Sequence, residues 1–345
     1  MTSAFCGINT ESQNAQCDKL KRLNFIPLFV LLACTLISAA QALAAQSYPE
    51  RPLRFIIPFT PGGGADNLAR VVSVPAAEAL GQPIVIDNRA GAGGNIAAEL
   101  AAKASPDGYT LLQGNVAHTI APSLYRRLNY NIVTDFTAVT QLAMIPFLLA
   151  VNPSFNVSSV RDIIALAQAR PGQINCASSG ASSPSHLAME TFKSMANVNL
   201  RHIPYKGAAP ATTDLIAGQV QMMFITVSAG LPLVRSGRLK AIAMGSVKRS
   251  PLAPDIPTLA EGGVAGYEAT TWFGVNVPKG ASDAVVRTLH RAFTAALKRS
   301  EVQERLALQG FDIIGNTPEV YAQYIKAEIP KWARVIKATN ITADQ

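Results

Sequence analysis

Three segments rich in glycine or hydroxyl groups hold the residues whose types and spacing could do chemistry. In FTPGGGADNLAR (59–70) an apolar run ends in three glycines, and a helix is predicted to begin near Asp66. Glycine lets the backbone approach a ligand closely, and the free N–H groups of a helix start attract anions. A plain glycine-rich turn with Asp66 as a helix cap accounts for the same letters. No Gly-Lys-Ser/Thr follows, so this is not a Walker-type phosphate loop. In RAGAGGNIAAELAAK (89–103), Gly91-x-Gly93-x-x-Ile96 lacks the third glycine of a dinucleotide fingerprint, and no acid stands about 20 residues on. Turn geometry and packing explain that segment better than a nucleotide does. In ASSGASSPSHLAMETF (177–192) the hydroxyls and His186 could be taken for a nucleophile and its base. The chain has no G-x-S-x-G elbow, however, and adjacent Ser185 and His186 would not face each other on a helix. Hydroxyl donors around a ligand fit the composition better than hydrolysis. His118, His186, His202, His290 and Cys176 show no metal-ligand spacing, so no metal and no cofactor is expected. Asp66, Asp107, Asp214 and Glu261 stand beside Gly or Pro or at predicted helix starts, where turn and cap duties explain them.

The elements that must position these segments alternate along the chain. Strands are predicted at 53–59, 83–87, 109–114, 147–152, 174–179, 200–205, 221–226, 239–244, 271–277 and 311–315. Between them lie amphipathic stretches with recognisable ends. Ser159-x-x-Asp162 forms a capping box before IIALAQAR, and Pro171-Gly172 stops that helix. Ser282-Asp283 opens a helix whose Val286, Leu289, Phe293 and Leu297 share one face, and Thr317-Pro318 opens the last one. Pro330 is expected to kink that helix without ending it. Strand–helix alternation with near-continuous apolar strands predicts an α/β fold of parallel sheets covered on both faces. No internal repeat and no long linker divides the chain. Two domains without a linker imply that the chain crosses between them on ordinary strands.

The first 45 residues differ from the rest. Lys19, Lys21 and Arg22 precede an apolar run from Phe25 to Ala40, and Ala42–Ala44 offers an A-x-A cleavage site. That is the anatomy of a secretory signal peptide, with residues 1–44 as leader and the periplasm as destination. The run is shorter than the ~20 residues a spanning helix needs. A start at position 20 would give a more compact leader. Leu31-Leu32-Ala33-Cys34 also resembles a lipobox, although the apolar TLISAA after Cys34 is unlike a lipoprotein tether. With Cys6, Cys17 and Cys34 in the leader, Cys176 stands alone after cleavage and can form no internal disulfide. About 300 residues suffice for two self-supporting cores. The chain's net charge of +8 favours anionic partners in a general way. Its basic residues are scattered without interleaved aromatics, which argues against nucleic-acid binding.

Taken together, these motifs resemble one family, the TctC or Bug receptors (Bordetella uptake proteins) of tripartite tricarboxylate transporters. The matching segments include YPERPLRFIIPF-PGG-D, LGQPIVIDNRAGAGGNIAAE, SPDGYTLL, PSLYRRLNY, LAQARPGQIN, SPSHLA, IPYKGAAPA, SGRLKAIA, KRSPLAPDIPTLAE-G, GYE-TTWFG and AEIPKW. They cover essentially everything after the leader. The resemblance implies a two-lobe periplasmic-binding-protein-like fold of type II, each lobe a sheet flanked by helices. Lobe 1 would comprise 45–147 plus 272–345, and lobe 2 would comprise 148–271. A small organic carboxylate would lie in the cleft between them. By match, Pro61, Gly62, Gly63 and Asp66 would hold it, with Asn115 and His118 from the loop after the 109–114 strand. Ser178, Ser182, Ser183 and His186 would close from the other lobe. The resemblance implies a monomeric receptor without enzymatic activity, serving a membrane permease or a sensor. Three departures stand out. Ala121 replaces a frequent asparagine, Cys176 replaces a common tyrosine in what reads as core, and QVDMMFD becomes QVQMMFI, putting Gln221 and Ile225 where acids are usual. Ile225 ends a strand that should face the cleft, so it is also a candidate ligand contact. Two other classes stay open: a cleft enzyme acting on a small organic acid, and a regulator whose effector domain shares the two-lobe layout. The leader and the lack of a DNA-binding segment speak against the second.

Overall fold

In the computed structural model, which describes residues 48–339, strands and helices alternate as the residue pattern requires. The leader, its cleavage site and Cys34 lie outside the described residues. The strands are β1 (Leu53–Ile57), β2 (Ile84–Asn88), β3 (Thr110–Asn115), β4 (Phe136–Val151), β5 (Asn175–Ser178), β6 (Arg201–Pro204), β7 (Met222–Thr226), β8 (Lys240–Met244), β9 (Thr270–Pro278) and β10 (Asp312–Ile313). The helices are α1 (Gly64–Leu80), α2 (Asn95–Ala102), α3 (Val116–Leu124), α4 (Val160–Ala169), α5 (Pro184–Ala196), α6 (Ala208–Ile216), α7 (Val227–Arg235), α8 (Asp283–Lys298), α9 (Ser300–Ala307) and α10 (Pro318–Thr339). Ser159 and Asp162 form the expected reciprocal box at the start of α4, and Ser282 caps α8. The last helix continues through Pro330.

The strands run in the order β2-β1-β3-β9-β4-β7-β5-β6, with β8 and β10 also paired to β4. The long strand β4 joins two sheet halves. Its residues Phe136–Pro146 pair with β9, Phe147–Val151 pair with β7, and Leu148–Val151 pair with β8. Pro146 makes the last register pair with β9. A proline has no N–H to donate, which suits it to the point where a ladder ends.

Here the structure corrects the expectation of parallel sheets. The outer pairs β1–β2, β1–β3, β5–β6 and β5–β7 are parallel, but β4 pairs antiparallel with β7, β8, β9 and β10, as does β3 with β9. The β9 strand is buried from Thr271 to Pro278 on both faces, so its apolar run carries no mark of direction. Residues 136–146 also prove to be strand despite their polar Thr140 and Gln141. Asn316 bonds both: its side-chain oxygen accepts from the Gln141 backbone N–H at 3.0 Å, its side-chain amide donates to Gln141 Oε1 at 3.1 Å, and its carbonyl accepts from Thr140 Oγ1 at 2.8 Å.

Each half has its own core. Phe192, Phe224 and Tyr267 centre the cluster around β5, β7 and α5, and buried Cys176 belongs to it, as its reading as a core residue expects. Trp272, Tyr321 and Leu112 centre the cluster around β3, β9 and α10. No helix among the described residues is long and apolar enough to cross a membrane.

Candidate functional site

The parallel strands β1, β5, β6 and β7 each lead into a helix (α1, α5, α6 and α7 respectively), and the starts of all four helices line one cavity. This is the carboxyl-end crevice where open α/β sheets bind ligands. The cavity has about 450 Å³ of empty space, counting its open side. Gly63, Gly64 and Ala65 come from the start of α1, Pro184 and Ser185 from α5, Ala208 from α6, and Thr226 from the cap of α7. Phe59, Phe147, Met223, Ile225 and Phe273 supply apolar wall, while Ser179 and Thr271 add hydroxyls. None of the described lining residues carries a charged side chain.

The caps of these helices decide what the cavity attracts. Ser183 caps α5, its side chain accepting from His186 N–H. Gly63, Gly207 and Thr226, at the caps of α1, α6 and α7, make no side-chain capping bond. The first-turn N–H groups of a helix have no partner within the helix. Three uncapped helix starts therefore turn unsatisfied donors and the positive ends of their dipoles towards one space. Such a site holds an anion without a lysine or arginine.

The glycines bring the two sheet halves together here. A Cβ added at Gly64 would stand 2.9 Å from Thr226 Oγ1 and 3.2 Å from Ser228 Oγ, and one at Gly63 would stand 3.6 Å from Ala208 Cβ. Ser182 Oγ, on the second half, donates to Tyr125 Oη of the first at 3.1 Å.

Of the residues named from sequence, Gly63 and Ile225 line the cavity. The others lie around it with partners of their own. Asp66 is buried, and its carboxylate accepts from Gly62 N–H at 3.0 Å, Arg70 at 2.9 Å and Asn88 at 3.1 Å. Burial opposes its charge, but these donors outweigh that cost and hold its pKa below the usual carboxylate range. Pro61 and Gly62 form the exposed turn ahead of it, with Gly62 at φ +86°. Asn115 and His118 cap α3 reciprocally: Asn115 accepts from Ala117 N–H, and His118 Nδ1 accepts from Asn115 N–H at 3.2 Å. Full burial pushes the His118 pKa down to about 4, against a slight opposing effect of the Gly94 carbonyl.

Ser178 Oγ donates to the Gly180 carbonyl at 3.0 Å and lies 2.6 Å from His202 Nε2. His186 stacks on His202 at 3.9 Å, and its Nδ1 accepts from Ser182 N–H at 3.1 Å. These groups brace the turn that carries Ser179 and leads into Ser185 of α5. Gly64, Ala65, Ser185, Ala208, Thr226 and Thr271 line the cavity although the sequence did not mark them as ligand contacts. Positions at or just after predicted strand ends were the signal that could have found Thr226 and Ala208. No group of three or more His, Cys, Asp or Glu among the described residues could hold a metal ion.

Comparison with known proteins agrees with this geometry. Residues 68–341 match the model of the tripartite tricarboxylate transporter family receptor. The BugT protein of Bordetella pertussis is 36% identical over 322 residues, spanning 92% of this chain and 99% of BugT. The solved structure of R. palustris Rpa4515 with adipate superposes with a TM-score of 0.83 at 38% identity, covering 86% of this chain and 99% of the other. MatC from Rhodopseudomonas palustris, with bound malate, gives a TM-score of 0.81 at 33% identity, over 84% and 100% of the two chains. Fold and site thus define a solute-binding protein of the periplasmic kind. The chain belongs to the tripartite tricarboxylate transporter receptor family.

Proposed function

We propose that this receptor captures a small organic carboxylate in the periplasm, holds it between two lobes, and releases it unchanged to a membrane permease or a sensing partner. The observation that carries the reading is the convergence of three uncapped helix starts on a cavity whose described walls bear no charge. An anion satisfies those donors at once, whereas a neutral solute leaves their positive field unused. The adipate and malate bound by two relatives support a carboxylate as the anion.

The proposed lobes are 45–147 plus 272–345 and 148–271, and the separate cores and the β4 crossover at Pro146 support that division. The amides of Gly63, Gly64 and Ala65 would meet the carboxylate directly. Pro61, Gly62 and Asp66 would shape that loop, while Asn115, His118, Ser178, Ser182, Ser183 and His186 would support the walls. Ile225 would face the ligand. Export through the leader fits the family. Binding without chemistry fits the site, where Ser178 and His186 are committed to neighbouring groups.

A thermal-shift screen of the mature protein against acids, sugars and amines tests the proposal. Ligand at a hundredfold excess over its dissociation constant adds ~2.7 kcal/mol of stability, a melting rise of several degrees. Carboxylates should give that rise and be recovered intact. A rise with sugars alone, or conversion of the acid, would contradict the reading.

A further inference from the structure

Four hydroxyl side chains line the cavity, and three of them are engaged within the protein. Ser185 Oγ accepts from Ser179 N–H at 2.9 Å and lies 3.0 Å from Ser179 Oγ. Thr226 Oγ1 lies 3.3 Å from Ser228 Oγ. Thr271 differs. It is 1% exposed, and its Oγ1 is buried without a hydrogen-bond partner among the described residues.

Strand geometry gives its direction. Successive side chains of β9 point to opposite faces. Thr271 and Phe273 both line the cavity, while Trp272 between them packs edge-on against Tyr321 and Tyr324. Thr271 therefore belongs to the cavity wall, among Phe147, Ile225 and Phe273. A buried hydroxyl in such surroundings is disfavoured unless something bonds to it. It comes from a strand, β9, and not from any of the helix starts. It lies on the strand that follows the return crossing between the sheet halves, where β9 pairs with Ile145 of β4.

We propose that Thr271 is a specificity-determining residue whose hydroxyl bonds a second polar group of the ligand, a hydroxyl or a further carboxyl. The receptor thereby selects bifunctional acids over plain monocarboxylates of the same length. This rests on the carboxylate reading above and narrows it: helix starts take one carboxylate, and Thr271 reads what the rest of the molecule carries.

The test is calorimetry on mature wild type, Thr271→Val and Thr271→Ser. The probes are straight-chain acids of four to eight carbons, each beside its ω-hydroxy and ω-carboxy counterparts, with benzoate beside 4-hydroxybenzoate. Circular dichroism and melting confirm that each variant is folded. Wild type should bind at least one bifunctional acid about tenfold tighter than its plain partner, the ratio one good hydrogen bond gives. Thr271→Val should erase that preference while changing plain-acid affinity less than about twofold, and Thr271→Ser should retain it. Equal weakening of both members of a pair, or an unchanged preference in Thr271→Val, would overturn the assignment. Acid binding by wild type without any such preference would overturn it and leave the carboxylate reading standing. Failure of every acid to bind would overturn both.

Discussion

Alanine at Gly64 should raise or preserve the stability of the free protein while weakening its hold on ligand. Gly64 is the first residue of α1, where alanine is preferred over glycine by up to about 1 kcal/mol. On that account alone the ligand-free melting temperature should rise by a degree or two. The added methyl faces the other sheet half. It would stand 2.9 Å from Thr226 Oγ1, 3.1 Å from Thr226 Cγ2 and 3.2 Å from Ser228 Oγ. All three are closer than comfortable contact, so the start of α7 must back away to make room for the methyl. Overpacking of this kind costs about 1–3 kcal/mol, which converts to a dissociation constant roughly 5- to 150-fold weaker. On the proposed two-lobe reading, ligand-free molecules open and escape the cost because the two surfaces are then apart. Calorimetric titration with paired melting curves, with and without ligand, reads both effects. Unchanged affinity would refute the reasoning. So would a ligand-free melting temperature that falls as far as the ligand-bound one, because Gly64 would then pack against a permanent neighbour.

Replacing Ile225 with aspartate should weaken the native acid at least about tenfold, since two carboxylates would share an uncharged cavity, and acids bearing a free amine should gain relative to it. Calorimetry on succinate beside aspartate checks this, and unchanged affinities would remove Ile225 from the site. His118 makes stability depend on pH. Its folded pKa of about 4 lies below its ordinary 6.5, so its contribution is complete above 6.5 and is lost as pH falls towards 4. The loss amounts to ~3 kcal/mol, and urea titrations should show the difference in slope between wild type and His118→Gln confined to that window. Intact-mass analysis of protein from the periplasm should find the mature chain beginning near Ala45, and a diacylglycerol on Cys34 would contradict the leader reading.

Much of this fold is legible from local chemistry. Ser159 with Asp162, Ser282, and Thr317 with Pro318 mark helix starts because capping depends on residues close in sequence. Strand direction is not local. Residues on β4 and β9 are buried on both faces in antiparallel ladders, and the same letters would serve a parallel sheet. The polar pair Thr140–Gln141 hid the first part of β4, because its partner Asn316 lies about 175 residues away in the chain.

The cavity divides in the same way. The triple glycine announces a close backbone approach, and Gly63 is there. Ile225 was legible as a strand end with an unusual residue. Ala208, Thr226 and Thr271 carry no chemical signal of their own, and only the meeting of the sheet halves makes them a wall. Asp66 and His118 read equally well as ligands or as caps from sequence. In the structure each is held by neighbouring protein groups: Asp66 by Gly62, Arg70 and Asn88, and His118 by Asn115 and Gly94.

The central claim is that helix starts, and no charged side chain, select an anion. Its most direct measurement is calorimetric titration of the mature protein with a bound acid and with the corresponding primary amide, which has nearly the same shape but no charge. The acid should bind with a micromolar dissociation constant, about −8 kcal/mol, and the amide at least about a hundredfold more weakly. An amide that binds as tightly as its acid would show that shape alone fills the cavity, and the account would fail.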